Sequence, residues 1–132
     1  VSTYYLDSSV AVHVVVGTPT ATSWFDAVTA EPATQVISSR LLRTELTRVL
    51  RRLGEPVARR EAILDHVGMI PLDHAVLLEA EAIAPHVKTL DSIHLASALR
   101  SGTEDIVVCT HDENMKSVAL LMGMAVHDPV TG

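Results

Sequence analysis

Two short apolar runs, Thr3 to Leu6 and Ile106 to Thr110, lead into an acid, Asp7 and Asp112, and helix-type sequence follows each. A strand that gives way to a helix is the unit of an open α/β sheet, whose strand carboxyl ends face the crevice in which ligands bind. Asp7, followed by Ser8 and Ser9, is thereby sent to the same edge as Asp112, which follows Thr110 and His111.

Two further acids lie on helix-type sequence. Ser38 to Gly54 predicts a capped helix that stops at its glycine. On a 3.6-residue period Leu42, Glu45, Val49 and Leu53 share one face, which points Glu45 inward. Asp91 falls in the first turn of a helix running from Thr89, the expected N-cap, to Gly102. A carboxylate is favourable there because the first-turn amides carry partial positive charge, so helix capping is an alternative role for Asp91.

Taken together, Asp7, Glu45, Asp91 and Asp112 demand a cation. Unpaired buried carboxylates cost several kcal/mol each, and no basic residue stands at matching spacing beside Asp7 or Asp112. A hard divalent ion with oxygen ligands, Mg²⁺ or Mn²⁺, is the natural counterweight.

These residues, in this order, resemble the PIN-domain ribonucleases, and within them the VapC toxins of toxin–antitoxin pairs. The resemblance spans nearly the whole chain. It is carried by Tyr5-Leu6-Asp7-Ser8-Ser9, by the Ser38 to Arg48 segment with Thr44-Glu45-Leu46, and by the stretch from Leu90 to Ala98. Val107 to Asp112, then Gly123 to Val126 and Pro129, complete it. It implies a three-layer α/β/α sandwich around a central, mainly parallel sheet, with residues 1–132 forming a single PIN domain. It also implies that Asp7, Glu45, Asp91 and Asp112 are the catalytic, metal-holding quartet, Glu45 acting directly or through water, with Ser8, Ser9 and Thr110 as supporting polar groups. The expected activity is that of a metal-dependent endoribonuclease leaving a 5′-phosphate and a 3′-hydroxyl. The expected partners are RNA, a VapB-like antitoxin and a second copy of the chain.

Size and composition fit one aliphatic core. The chain has 132 residues, 48% hydrophobic but only 3% aromatic, which is ample for a single domain packed through many small contacts. The longest early apolar run, Val10 to Val16, is interrupted by His13 and far short of the roughly 20 residues of a membrane helix. With no basic lead into a cleavable apolar segment, a cytoplasmic location without membrane association is expected. Cys109 is the only cysteine, so no intrachain disulfide forms, and its place in an apolar run predicts burial. Pattern and turn signals predict strands at 3–6, 35–37, 69–72, 106–110 and 124–127. They predict helices at 9–16, 19–30, 39–53, 56–67, 73–84, 89–101 and 113–122.

A net charge of −6 is unusual for a protein that handles a polyanion, because phosphate contacts rely on Lys and Arg. The charge is unevenly divided. Arg40, Arg43, Arg48, Arg51, Arg52, Arg59 and Arg60, set against Glu45 and Glu55, leave that segment at +5 and the remainder at −11. Arg40, Arg43 and Arg48 are the candidates for holding RNA phosphates, guanidinium groups being suited to bidentate phosphate contacts; a solvated helix face is the other reading. His94 is expected to be a packed, hydrogen-bonded histidine rather than a ligand. His111 is expected to point away from Asp112 if the strand continues.

Two other classes fit some of these features. A phosphatase using Asp7 as nucleophile wants a second aspartate two residues on, where Ser9 stands; a non-enzymatic or regulatory metal-binding domain leaves Glu45 unexplained.

Overall fold

The structure, a computed structural model, describes residues 2–132. Five strands form one sheet in the order β3-β2-β1-β4-β5, and every neighbouring pair runs parallel: β1 Ser2–Leu6, β2 Thr34–Ser39, β3 Gly68–Ile70, β4 Ile106–Cys109 and β5 Ala125–His127. The helices are α1 Ser8–Val15, α2 Pro19–Ala30, α3 Leu41–Leu53, α4 Glu61–Leu64, α5 His74–Glu81, α6 Thr89–Arg100 and α7 Glu113–Leu121. Because parallel neighbours need crossovers, the helices cover both faces of the sheet, as in the expected three-layer sandwich.

Alternation along the strands sets the two faces. Leu6 and Val36 pack with Val10, Phe25, Leu42, Leu46 and Leu50 from α1, α2 and α3. Their sequence neighbours Tyr5 and Ile37 point the other way, onto Leu95 and Ala98 of α6 and Met115 and Val118 of α7. A smaller cluster, Val76, Ala80, Ile93 and Ala96, joins α5 to α6.

Helix α3 packs on a stripe slightly turned from the expected one. Leu42, Leu46 and Leu50 are fully buried, while Leu53 is 49% exposed. The four-residue repeat of leucines wins because it places three large side chains over the sheet; Glu45 then lies on the flank of that stripe rather than in it. The helix starts later than expected because Ser38 and Ser39 belong to β2, where Ser38 donates to the Leu6 carbonyl at 2.6 Å. It ends at Gly54, whose φ of 68° is left-handed, as a glycine C-cap allows.

The expected helix 56–67 is instead a 3₁₀ turn, Val57–Arg60, followed by the four-residue α4. Among their residues Ile63 alone is buried, so no apolar stripe holds a longer helix. Arg59 and Arg60 are occupied structurally. Arg59 donates to the Val15 carbonyl at 2.7 Å and pairs with Glu55, and Arg60 donates to Thr47 at 2.7 Å and to Glu61. The helix expected at 73–84 stops at Glu81, ahead of Pro85.

Replacing Leu46 with Ala removes a fully buried side chain from the α3 stripe. Urea unfolding is expected to show a loss of about 2–5 kcal/mol, whereas Leu53→Ala at the exposed end of the same helix should cost under about 1 kcal/mol.

Candidate active site

Asp7 follows the last residue of β1, and its amide extends the ladder to the Cys109 carbonyl at 3.0 Å. It is the N-cap of α1, yet its side chain makes no capping bond. Its carboxylate, only 1% exposed, instead takes two hydroxyl protons on Oδ2, from Ser9 at 2.6 Å and Thr110 at 2.8 Å. A hydroxyl has one proton to give, so both can otherwise only accept. Ser9 accepts from the His111 amide at 2.9 Å, and Thr110 accepts from the Asp112 amide at 3.1 Å. The two hydroxyls thus stitch the loop after β4 to Asp7 and present Asp112 beside it. Ser8, partly exposed, opens α1 and takes no part in these bonds.

Asp7 Oδ1 is buried without a hydrogen-bond partner. His94 Nε2 lies 3.9 Å from it, too far for a bond. That nitrogen is committed elsewhere, 2.6 Å from Glu45 Oε1. His94 is fully buried, as expected of a packed histidine, and its Nδ1 meets the Tyr5 hydroxyl at 2.7 Å. Burial disfavours the imidazolium, but the hydrogen bond to Glu45 and the charges of Asp7, Glu45 and Asp91 outweigh it and raise the His94 pKa.

Asp91 lies in the first turn of α6 as expected, but Lys88, not Thr89, is the N-cap. Of the four acids it is Asp112 that caps a helix, its Oδ1 accepting from the Met115 amide at 2.8 Å at the start of α7. Burial first, then the charges of Asp7 and Asp112, push the Asp91 pKa up to about 6, against smaller lowering by His94 and Lys88. This coupling places Asp91 within the field of the other two aspartates. Among the described residues no Lys or Arg forms an ion pair with Asp7, Glu45, Asp91 or Asp112.

A divalent cation suits this donor set: hard oxygens, an orphaned buried carboxylate atom and an aspartate driven toward protonation by burial and by neighbouring acids. The donors are present but not gathered. Among the described residues no three His, Cys, Asp or Glu side chains are already arranged as ligands around one point.

The arginines divide along α3. Arg48, three residues beyond Glu45, is exposed on the Glu45 flank, while Arg43 lies on the opposite flank. Arg40, also exposed, donates to Thr44 at 3.3 Å just before the first turn.

A second charged cluster was not legible in the sequence. Asp128 accepts from Lys116 Nζ at 2.7 Å and from His111 Nδ1 at 2.9 Å on Oδ2, and from the Val130 amide at 2.9 Å on Oδ1. Burial opposes its ionisation, yet these bonds hold its pKa well below the usual carboxylate range. Its place past the last strand, with partners in two other segments, leaves no local pattern to read. Cys109 is buried, as expected, and burial pushes its thiol pKa upward.

Comparison with known proteins agrees with this geometry. The PIN domain model matches residues 4–121. The chain is 38% identical over 130 residues to Ribonuclease VapC46 of Mycobacterium tuberculosis, covering 95% of this chain and 96% of that one. It is 30% identical over 131 residues to Ribonuclease VapC47 of the same species, with the same coverage. A toxin-antitoxin complex from Klebsiella pneumoniae superposes with a TM-score of 0.72 at 18% identity, covering 96% of this chain and 97% of that one.

The raised Asp91 pKa has a consequence for stability. The folded carboxyl binds its proton more tightly than the unfolded one at 3.8, so the stabilisation it gives is complete below about pH 4 and lost as pH rises through about 6. In chelator-treated protein, Asp91→Asn should therefore raise the thermal midpoint at pH 7, and the gain should vanish by about pH 4; calorimetric scans across that range check it. Strand ends, acids and sequence relatives together identify the chain as a member of the PIN-domain family, in its VapC group.

Proposed function

We propose that this protein is a metal-dependent endoribonuclease, the toxin of a toxin–antitoxin pair, acting in the cytoplasm as a single PIN domain over residues 1–132. The observation that carries the reading is the buried Asp7 carboxylate with one unpartnered oxygen, electrostatically coupled to Asp91 and lying beside Asp112. Asp7, Asp91 and Asp112 hold Mg²⁺ or Mn²⁺, with Glu45 joining directly or through water. When bound, such an ion polarises the phosphodiester and lowers the pKa of water for hydrolysis.

The chain's own residues have distinct tasks. Ser9 and Thr110 fix the Asp7 carboxylate by donating to Oδ2, which leaves Oδ1 free for a cation. Asp112 is held by its own helix through the Met115 amide, so one oxygen stays available. Arg40 and Arg48 supply phosphate contacts on the exposed side of α3, and Arg43 reaches a more distant part of an RNA strand. Among the described residues no Lys or Arg pairs with the four acids, so the RNA backbone is attracted at the periphery while the acids keep their charge for the metal.

The relatives named as ribonucleases and the structural neighbour described as a toxin-antitoxin complex support the activity and a VapB-like antitoxin partner. A second copy of the chain completes the expected assembly. No helix among the described residues is long and apolar enough to cross a membrane.

Asp7→Asn should reduce cleavage of RNA in Mg²⁺ or Mn²⁺ by at least about a hundredfold, the scale on which one preorganised charge-stabilising group acts, and EDTA should abolish it in the parent protein. Unchanged cleavage in Asp7→Asn would remove the carboxylates from the chemistry. Arg48→Ala should weaken RNA binding across sequences and lower the slope of log affinity against log salt by roughly 0.7, one single-strand phosphate contact; titrations at several salt concentrations read this.

A further inference from the structure

Glu45 is the acid that its own helix does least to aim. It lies beside the leucine stripe of α3 with a side chain 17% exposed. Its one hydrogen bond among the described residues is to His94 Nε2 at 2.6 Å. His94 is held from behind, where Nδ1 meets the Tyr5 hydroxyl at 2.7 Å, and both of those side chains are fully buried. Tyr5 packs with Leu95 and Met115 on the α6 and α7 side of the sheet, whereas Glu45 comes from α3 on the other side. The line Tyr5–His94–Glu45 therefore runs from one core to an acid at the strand ends.

The protons on this line follow from the partners. A carboxylate only accepts, so Nε2 carries a hydrogen toward Glu45. The Tyr5 hydroxyl has one proton, and facing Nδ1 at 2.7 Å it donates there when the ring is neutral. With Nε2 directed at Glu45, Asp7 Oδ1 stays unpartnered 3.9 Å away. One imidazole thus aims one carboxylate and leaves the other open.

We propose that His94 is a positioning residue for the reaction, setting the direction of the Glu45 carboxylate through Nε2–H, with Tyr5 fixing the ring. Its catalytic consequence rests on the ribonuclease reading above; its geometry does not. Being fully buried, the ring touches no RNA. Loss of its hydrogen bond is expected to lower kcat while leaving KM nearly unchanged.

The test has two arms. In the first, His94→Phe keeps a ring but no donor, and kcat is expected to fall by roughly a hundredfold, as small misplacements at an active site do. His94→Gln, which retains a donor, is expected to recover part of that loss. Because His94 acts through Glu45, His94→Phe should cost almost nothing further in a Glu45→Gln background; a full additional loss there, or undiminished kcat in His94→Phe alone, overturns the proposal. The second arm needs neither RNA nor a folded variant. Imidazole ¹⁵N NMR of the metal-free parent protein should show His94 Nε2 protonated, and a bare Nε2 overturns the assignment. Failure of the parent protein to cut RNA would count against the ribonuclease reading, while the NMR result would still judge the hydrogen-bonded line.

Discussion

A carboxylate at the end of the central strand is buried with one oxygen satisfied twice and the other not at all. An arrangement of this kind costs several kcal/mol unless a positive partner is supplied, and much of the surrounding structure accommodates it. Two hydroxyls from different segments give their only protons to the same oxygen and take amide hydrogens from the loop after β4 in return. The fold thereby fixes which Asp7 oxygen is left unpaired.

Much of this was legible in the residues because strand ends carry strong local signals. Asp7 and Asp112 stand where apolar runs stop, and the structure joins their segments through Ser9 and Thr110. What could not be read was the handling of each acid after the chain folded. A first-turn aspartate and an N-cap aspartate differ by one turn of backbone, so the capping that was the alternative role for Asp91 is carried out, within the quartet, by Asp112. The stripe on α3 was misplaced because Glu45 and Val49 fit one helical face as well as Leu46 and Leu50 fit its neighbour; only the sheet underneath decides between them. The 56–67 segment has helical composition but buries only Ile63 and Val67, a deficit visible only in three dimensions.

Contacts between distant segments account for the rest. His94 joins Tyr5 and Glu45, which lie 89 and 49 residues from it along the chain. Asp128 ties the segment after β5 to Lys116 and His111, bracing α7 and the loop that carries Asp112. The site is thus held from both cores of the molecule and from its last turn. Its carboxylates owe their orientation to neighbours that carry no recognisable motif.

The sheet order has a consequence for synthesis. Strand β1 precedes the other four in sequence yet lies between β2 and β4, and β4 begins only at Ile106. Until that strand leaves the ribosome, one edge of β1 has no partner, Thr110 is absent from Asp7, and Asp112 has not been translated. Contacts this far apart in sequence form late and slowly. A nascent fragment that stops short of Thr110 and Asp112 therefore cannot bring these side chains to Asp7.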